Sequence, residues 1–409
     1  MLRVHFTAAL IGAVVLAATA SAFAQTPPAS SPSSSPAPAP SPTATPTPPW
    51  TFSGFFDATY VAPLPSGGTL LFSNGTNARV FDFQADRLVP NNFNFNLKRN
   101  ATHGLGGNLE ISTGSDANVI ASYGGSGFGP TGNQVDVTQG YLYYATGPWT
   151  LDVGKFETLV GAEVIESPSD YEISRSILMG YAEPFTHTGV RLVYAPTSKL
   201  SLTGGVNYGW DTMKSVNGLS TLEAQVAWTP TSAYSLLVSY LGGTTPSQGY
   251  LIPQPTGYRS LVDVVGKLVA SSALTFEVNY DGGYQANAIV NTAGLPTGSA
   301  SWNGIAGYAI YTMNSHWQLS GRYETFHDAQ GYKTGIPQTW NEGTATLQFT
   351  PQAANWKLRT EYRFDTSNGC TIVASGACTP GVFARYTLPT GTVSKNNSSI
   401  GLEAIYTWP

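Results

Sequence analysis

The chain has 409 residues, a formal net charge of −5 and only 11% charged residues, where soluble domains average roughly 25%. The acidic balance argues against nucleic acid as a partner, and so thin a supply of charge leaves most of the surface facing something other than water. No stretch beyond the N-terminus approaches the roughly 18 apolar residues of a membrane-spanning helix, so the structure expected to satisfy this backbone in lipid is a closed β-barrel.

At the N-terminus, Arg3 precedes an uncharged apolar run, and Ala22-Phe23-Ala24 fits the small-x-small rule for signal peptidase. Residues 1–24 are therefore expected to be a signal peptide that exports the chain. Cleavage after Ala24 leaves 18 Lys plus Arg against 24 Asp plus Glu, a net charge of −6. Residues 25–49 hold ten Pro among Ser, Thr and Ala. Such a segment buries too little apolar surface to fold, and it reads as a disordered, largely polyproline linker. Contact with the cell wall is the alternative role.

From Trp50 onward, sixteen segments of about ten residues alternate apolar and polar side chains, the length that crosses a bilayer at a tilt. They fall near 51–60, 93–100, 105–112, 135–145, 149–156, 186–195, 199–208, 219–229, 234–242, 258–269, 273–283, 301–312, 315–325, 340–350, 355–365 and 397–408. Links after even strands are short, such as Thr146-Gly147-Pro148 and Pro196-Thr197-Ser198. Links after odd strands are mostly long, among them 61–92, 113–134, 157–185, 284–300 and 366–396. Strict alternation of this kind predicts an all-β, up-and-down antiparallel transmembrane barrel of about sixteen strands, spanning residues 50–409. Its tight turns would face the periplasm and its long loops the exterior. A four-bladed propeller also has sixteen strands, but the blade repeat it requires is missing.

Alternation alone also suits a soluble sandwich, so two further features decide between them. Aromatic residues cluster at both ends of the apolar parity: Trp149, Tyr194, Trp228, Tyr234, Trp317, Trp356 and Trp408 toward the short turns, and Tyr60, Tyr208, Tyr240, Tyr280, Tyr323 and Trp340 toward the loops. Those are the two girdles of a membrane barrel. The last strand, Ile400, Leu402, Ala404, Tyr406 and Trp408 on one face, is similar to the C-terminal signal read by the outer-membrane assembly machinery, with Trp408-Pro409 in place of a final Phe.

A barrel of this size leaves an aqueous interior, lined by the charges of the polar parity. Candidate pore-lining residues are Arg191, Arg259, Asp263, Lys267, Arg322, Glu324, Lys357, Arg359, Glu361, Arg363 and Asp365. Any inward side chain must face water whether or not it selects a solute. The sharper expectation is a basic ladder of Lys357, Arg359 and Arg363 beside Arg322, setting a transverse field against acids elsewhere on the wall. The link 157–185 carries Glu157, Glu163, Glu166, Asp170, Glu172 and Glu183 against Arg175 alone, a net charge of −5. Folded inward, it would narrow the channel and favour cations; left outside, it would be a solvated acidic loop. Its apolar residues, Leu159, Val160, Ile165, Ile177, Leu178 and Met179, favour the inward arrangement.

The stretch from Asp152 to Pro196 resembles the conserved block of the OmpL-like β-barrel porin family, the second family of that name. The matching residues are Gly154-Lys155-Phe156, Gly161, Glu163, Ser174-Arg175-Ser176, Pro184-Phe185 and His187-Thr188-Gly189-Val190. The resemblance implies an outer-membrane porin-like barrel passing small hydrophilic solutes or ions, and it carries over no catalytic residue. A homotrimer is the analogous assembly. A surface-binding or adhesive barrel with little conductance is the competing function.

Enzyme readings find little support. His103, His187, His316 and His327 have no second ligand at metal spacing, and no Ser-His pair lies on the lipid-facing parity. The glycines form no nucleotide-binding fingerprint, and neither cofactor nor metal is expected. Cys370 and Cys378, in the link 366–396, are expected to form a loop disulfide in an exported chain, free thiols being the alternative.

Overall fold

In a computed structural model of the chain, residues 50–409 are described apart from 65–68, 125–133, 216–217, 219, 247–255, 292–294, 353–354, 373–377 and 385–391. The expected signal peptide and linker lie outside the described residues.

The first five barrel strands are β1 (Trp50–Leu64), β2 (Leu88–Arg99), β3 (Gly104–Thr113), β4 (Val135–Thr146) and β5 (Trp149–Glu157). A short helix, α1 (Ser115–Ile120), interrupts the link between β3 and β4. The next five are β6 (Thr186–Thr197), β7 (Leu200–Asn207), β8 (Thr221–Thr231), β9 (Tyr234–Pro246) and β10 (Thr256–Val269). They are followed by β11 (Leu274–Val290), β12 (Pro296–Thr312), β13 (Trp317–Asp328), β14 (Gln338–Phe349) and β15 (Trp356–Ser367). Two small hairpins, β16 (Cys370–Ile372) with β17 (Cys378–Pro380) and β18 (Phe383–Ala384) with β19 (Val393–Ser394), occupy the last long link before β20 (Asn396–Trp408).

Each barrel strand pairs antiparallel with its neighbours in chain order, and β20 closes the cylinder by pairing with both β15 and β1. The closure register runs from Gly54 opposite Trp408 to Leu64 opposite Ser398. Sixteen strands in closed up-and-down order is the expected fold, and closure removes the open edges that a lipid environment forbids.

Period-two patterning becomes two surfaces. On β15 the exposed residues are Trp356, Leu358, Thr360, Tyr362 and Phe364, while Arg359, Glu361, Arg363 and Asp365 are buried and Lys357 is half-buried. The exposed parity of the other strands is likewise apolar, as at Leu142, Leu222, Phe276, Leu319 and Leu402. An outward apolar belt of this kind is what lipid requires.

Three details depart from the sequence expectations. The link read as 284–300 is mostly strand, because β11 and β12 extend as a 17-residue pair joined by residues 291–295. Alternation weakens there, and small residues such as Ala286, Ala288, Gly298 and Ala300 disguise it. The link 366–396 contains hairpins rather than plain loop. Finally, Trp340 does not belong to the loop-side girdle. It shares its parity with Glu342 and Thr344, is buried, and donates from Nε1 to Asp365 Oδ1 at 3.0 Å. The girdle aromatics Tyr60, Tyr208, Tyr240, Tyr280 and Tyr323 are exposed, as are Trp149, Trp228, Trp317 and Trp356 at the turn side.

The buried apolar residues sit inside the cylinder. Val160, Ile177, Leu178 and Ala182 of the link between β5 and β6 pack with wall residues Leu241, Leu261, Ala306, Tyr308 and Phe326. Met179 and Ile165 of the same link pack with Phe81 and Ile120 from the β1–β2 and β3–β4 links.

Candidate functional site

The densest polar network joins the link 158–185 to inward side chains of β13, β14 and β15. The inward parity of β15 is charged at every second position from Lys357 to Asp365, while β13 adds Arg322 and Glu324 and β14 adds Glu342, so these heads are stacked along the wall. Glu361 accepts the amides of Ile173 at 2.6 Å and Ser174 at 3.1 Å, and Thr346 Oγ1 at 2.9 Å. One turn of chain further, Glu324 accepts the amides of Ile177 at 2.7 Å and Leu178 at 3.3 Å. Carboxylates receiving backbone N–H groups form the stronger, charge-assisted class of hydrogen bond.

The basic side chains take the complementary groups. Arg359 donates to the carbonyls of Asp170 at 2.5 Å and Ser167 at 3.2 Å, and pairs with Glu403 at 2.9 Å. Arg363 donates to the carbonyl of Arg175 at 2.8 Å and pairs with Asp365 at 2.8 Å. Lys357 reaches the carbonyl of Pro168 at 2.6 Å. Arg322 bonds the Ser174 carbonyl at 2.8 Å while pairing with Glu163 at 2.7 Å and Glu342 at 2.9 Å. Planar guanidinium forks suit this division between carbonyls and carboxylates, which a point-charge ammonium could not reproduce. The four residues of the expected ladder thus bond the backbone between Ser167 and Arg175 in addition to any role toward solutes.

Most of the remaining wall contacts of the link are made by neutral side chains. The Leu159 carbonyl accepts from Gln225 Nε2 at 2.7 Å and Ser239 Oγ at 3.0 Å, and the Ala162 amide donates to Asn279 Oδ1 at 2.9 Å. Tyr308 donates its hydroxyl to Glu163 at 3.1 Å, and Ser167 Oγ bonds Asp57 at 2.7 Å.

Residues 50–406 match the family described as "beta-barrel porin-2, OmpL-like". The chain belongs to this family. It is an outer-membrane β-barrel with a porin-like fold, and solved porins share that fold at low identity. OmpT of Vibrio cholerae, in a trimer form, superposes with a TM-score of 0.55 at 13% identity, covering 88% of this chain and 99% of that one. The anion-selective porin from Comamonas acidovorans gives 0.55 at 8% identity, with coverage of 88% and 99%. OprB of Pseudomonas putida gives 0.54 at 10%, with coverage of 88% and 94%. No curated protein sequence matches the chain.

Within this porin-family barrel the remaining expected residues fall as follows. Arg191 pairs with Glu223 at 2.7 Å, donates to the Glu157 carbonyl at 3.0 Å and lies 3.9 Å over the Phe156 ring. Half-buried Arg259 bonds Gln285 at 2.6 Å and the Tyr332 hydroxyl at 2.8 Å. Lys267 reaches the Tyr171 hydroxyl at 3.0 Å and Glu277 at 3.3 Å. In the link, Arg175 pairs with Asp170 at 3.0 Å and bonds the Ile165 carbonyl at 3.0 Å. Glu166 lies beside Glu110 and Glu157, and Glu183 beside Asp263 and Asp281. Burial raises the Asp170 carboxyl to about 7, against the pull of Arg175, and raises that of Glu172 to about 8, against Arg322. Cys370 and Cys378 are bonded, bridging β16 and β17.

A cavity of about 260 Å³ lies where the link meets β8 and β9, lined by Thr158, Val160, Glu163, Glu183, Gln225 and Leu237 among others. Several network members escaped the sequence reading. Glu342 was readable, since it shares its parity with Thr344, Thr346 and Gln348. Arg79, which pairs with Asp82 at 2.5 Å and approaches Asp365 at 3.6 Å, was not, because it lies in an irregular link without periodicity.

Proposed function

We propose that this barrel is a narrow diffusion channel for small hydrophilic solutes or ions, in which residues 158–185 form the constriction. The observation that carries this reading is the set of bonds from Glu324, Glu361, Arg359 and Arg363 to the backbone between Asp170 and Leu178. A link merely resting outside the mouth would have no reason to exchange amides and carbonyls with inward side chains of two strands. On this reading the basic ladder anchors the constriction, and the carboxylates at the cavity that pair with no basic side chain among the described residues, Glu157 and Glu183, bias it toward cations. A homotrimer is the proposed assembly, inserted by the outer-membrane assembly machinery after cleavage at Ala24.

Single-channel recording in planar bilayers, with reversal potential in a salt gradient, tests the proposal. Stable ohmic steps with cation preference are expected, and deleting residues 163–180 should raise the step size. An unchanged step would place the narrowest point elsewhere. The second reading, a surface-binding barrel with little conductance, draws on the apolar packing of the link against β9 to β14, which fills part of the interior. Absence of ohmic steps in folded protein would favour it.

A further inference from the structure

Glu183, near the end of the β5–β6 link, meets two acids of the wall. Asp263 of β10 and Asp281 of β11 stand directly opposite each other in the strand register. One carboxylate oxygen from each of the three residues lies within 4.8 Å of the others. Like charges facing across a ladder repel, and burial sharpens the repulsion by removing water.

Compensation is thin: Lys333 acts on Asp281 but makes no ion pair with it among the described residues. All three side chains are buried, Asp263 and Asp281 completely. Asn279 Nδ2 donates to Asp263 Oδ2 at 2.7 Å, but Asp263 Oδ1, both oxygens of Asp281 and Glu183 Oε1 have no hydrogen-bond partner. Among the described residues none of the three makes an ion pair. Asp281 is therefore a fully buried carboxylate aimed at two others, with no amide, hydroxyl or ion-pair partner for either oxygen. The backbone is shaped around the cluster as well. Gly161 has φ of +96°, and a Cβ there would stand 2.2 Å from Glu183 Oε2.

We propose that Glu183, Asp263 and Asp281 form a divalent-cation site that clamps the β5–β6 link to β10 and β11. Three carboxylates without nitrogen or sulfur select a hard cation. Irregular oxygen ligation completed by water suits Ca²⁺ better than Mg²⁺, which demands a near-ideal octahedron. The ligands are widely separated in sequence, which is why no spacing motif announces them. The site goes beyond the channel reading and rests only on the link's contacts with the wall.

The experiment uses the full chain, refolded in detergent free of lipopolysaccharide, stripped with EDTA and titrated with CaCl₂ by calorimetry. One saturable site per chain is expected, weakened at least about tenfold in Asp281→Asn and in Glu183→Gln, with Ca²⁺ raising the temperature at which the barrel loses its boiling-sensitive gel mobility. Both substitutions relieve repulsion, so each variant should fold, and the gel shift verifies it; Asp263→Asn replaces either that does not. No saturable binding by folded protein, as a shared proton in place of the cation would give, overturns the proposal, and so does parental affinity in the folded variants. Calorimetry needs no conductance, so failure of this site and failure of the channel reading are separately visible.

Discussion

Removing the two carboxylates that hold the backbone of the β5–β6 link, Glu324→Ala with Glu361→Ala, should release it. Together they accept the amides of Ile173, Ser174, Ile177 and Leu178. A hydrogen bond to a charged group contributes about 1.5–3 kcal/mol net, so four independent ones would total roughly 6–12 kcal/mol. Neighbouring bonds are not additive, and water in the interior can recapture freed amides. A conservative remainder of about 3 kcal/mol still shifts the ratio of docked to released link by about 100-fold. Two readouts follow. Planar-bilayer steps should grow or flicker between levels, and protease added to the folded barrel should cut between residues 158 and 185 in the variant before it cuts the parent. If both step size and cleavage match the parent, these carboxylates do not hold the link and the constriction argument is wrong.

Arg322→Ala leaves Glu163 without an ion pair and Glu342 with only Arg363 at 3.9 Å, both buried, and should destabilise the folded barrel by about 3–5 kcal/mol in urea titrations; a loss below about 1 kcal/mol, typical of a surface pair, would refute this. Arg322→Lys should recover only part of the loss, because an ammonium cannot span two carboxylates and a carbonyl at once. The burial-raised carboxyls of Asp170 and Glu172 give a pH dependence. A raised carboxyl binds more protons in the docked state, so docking is firmest below the ordinary carboxylate range and weakens as pH rises through about 7 to 8. Conductance noise from the link should therefore increase between pH 5 and pH 8.5, and a flat or inverted profile would contradict the assignment. Replacing Cys370 and Cys378 by Ser should loosen only the β16–β17 hairpin, leaving step size and gel mobility unchanged, since the bridge spans eight residues outside the barrel ladder.

The fold was legible because lipid outside and polar side chains inside impose a period of two that each barrel strand must obey. On β13 and β15 that period located Arg322, Glu324, Arg359, Glu361 and Arg363 on the inner surface. It could not reveal their partners, because a link has no period and its amides are the same in every sequence. Trp340 went astray for a related reason: an aromatic near a rim fits either face, and only its register with Glu342 decides. Asp263 and Asp281 were each readable as inward, but their juxtaposition depends on the offset between β10 and β11, which periodicity leaves free.

The charged wall anchors of the β5–β6 link lie late in the chain. The bonds from Ile177 to Glu324, Ile173 to Glu361 and Asp170 to Arg359 span 147, 188 and 189 residues. Contacts so distant in sequence form slowly, after the intervening chain has been laid down. During assembly, then, the stretch from Asp170 to Leu178 goes without these bonds while eight further strands are added, with only residues such as Leu159 and Ala162 held earlier by β8, β9 and β11, and it is fixed when the last strands zip into place. An interrupted insertion stalled before β13 would therefore be wide and leaky, so the order of strand addition itself bears on how tightly the membrane stays sealed.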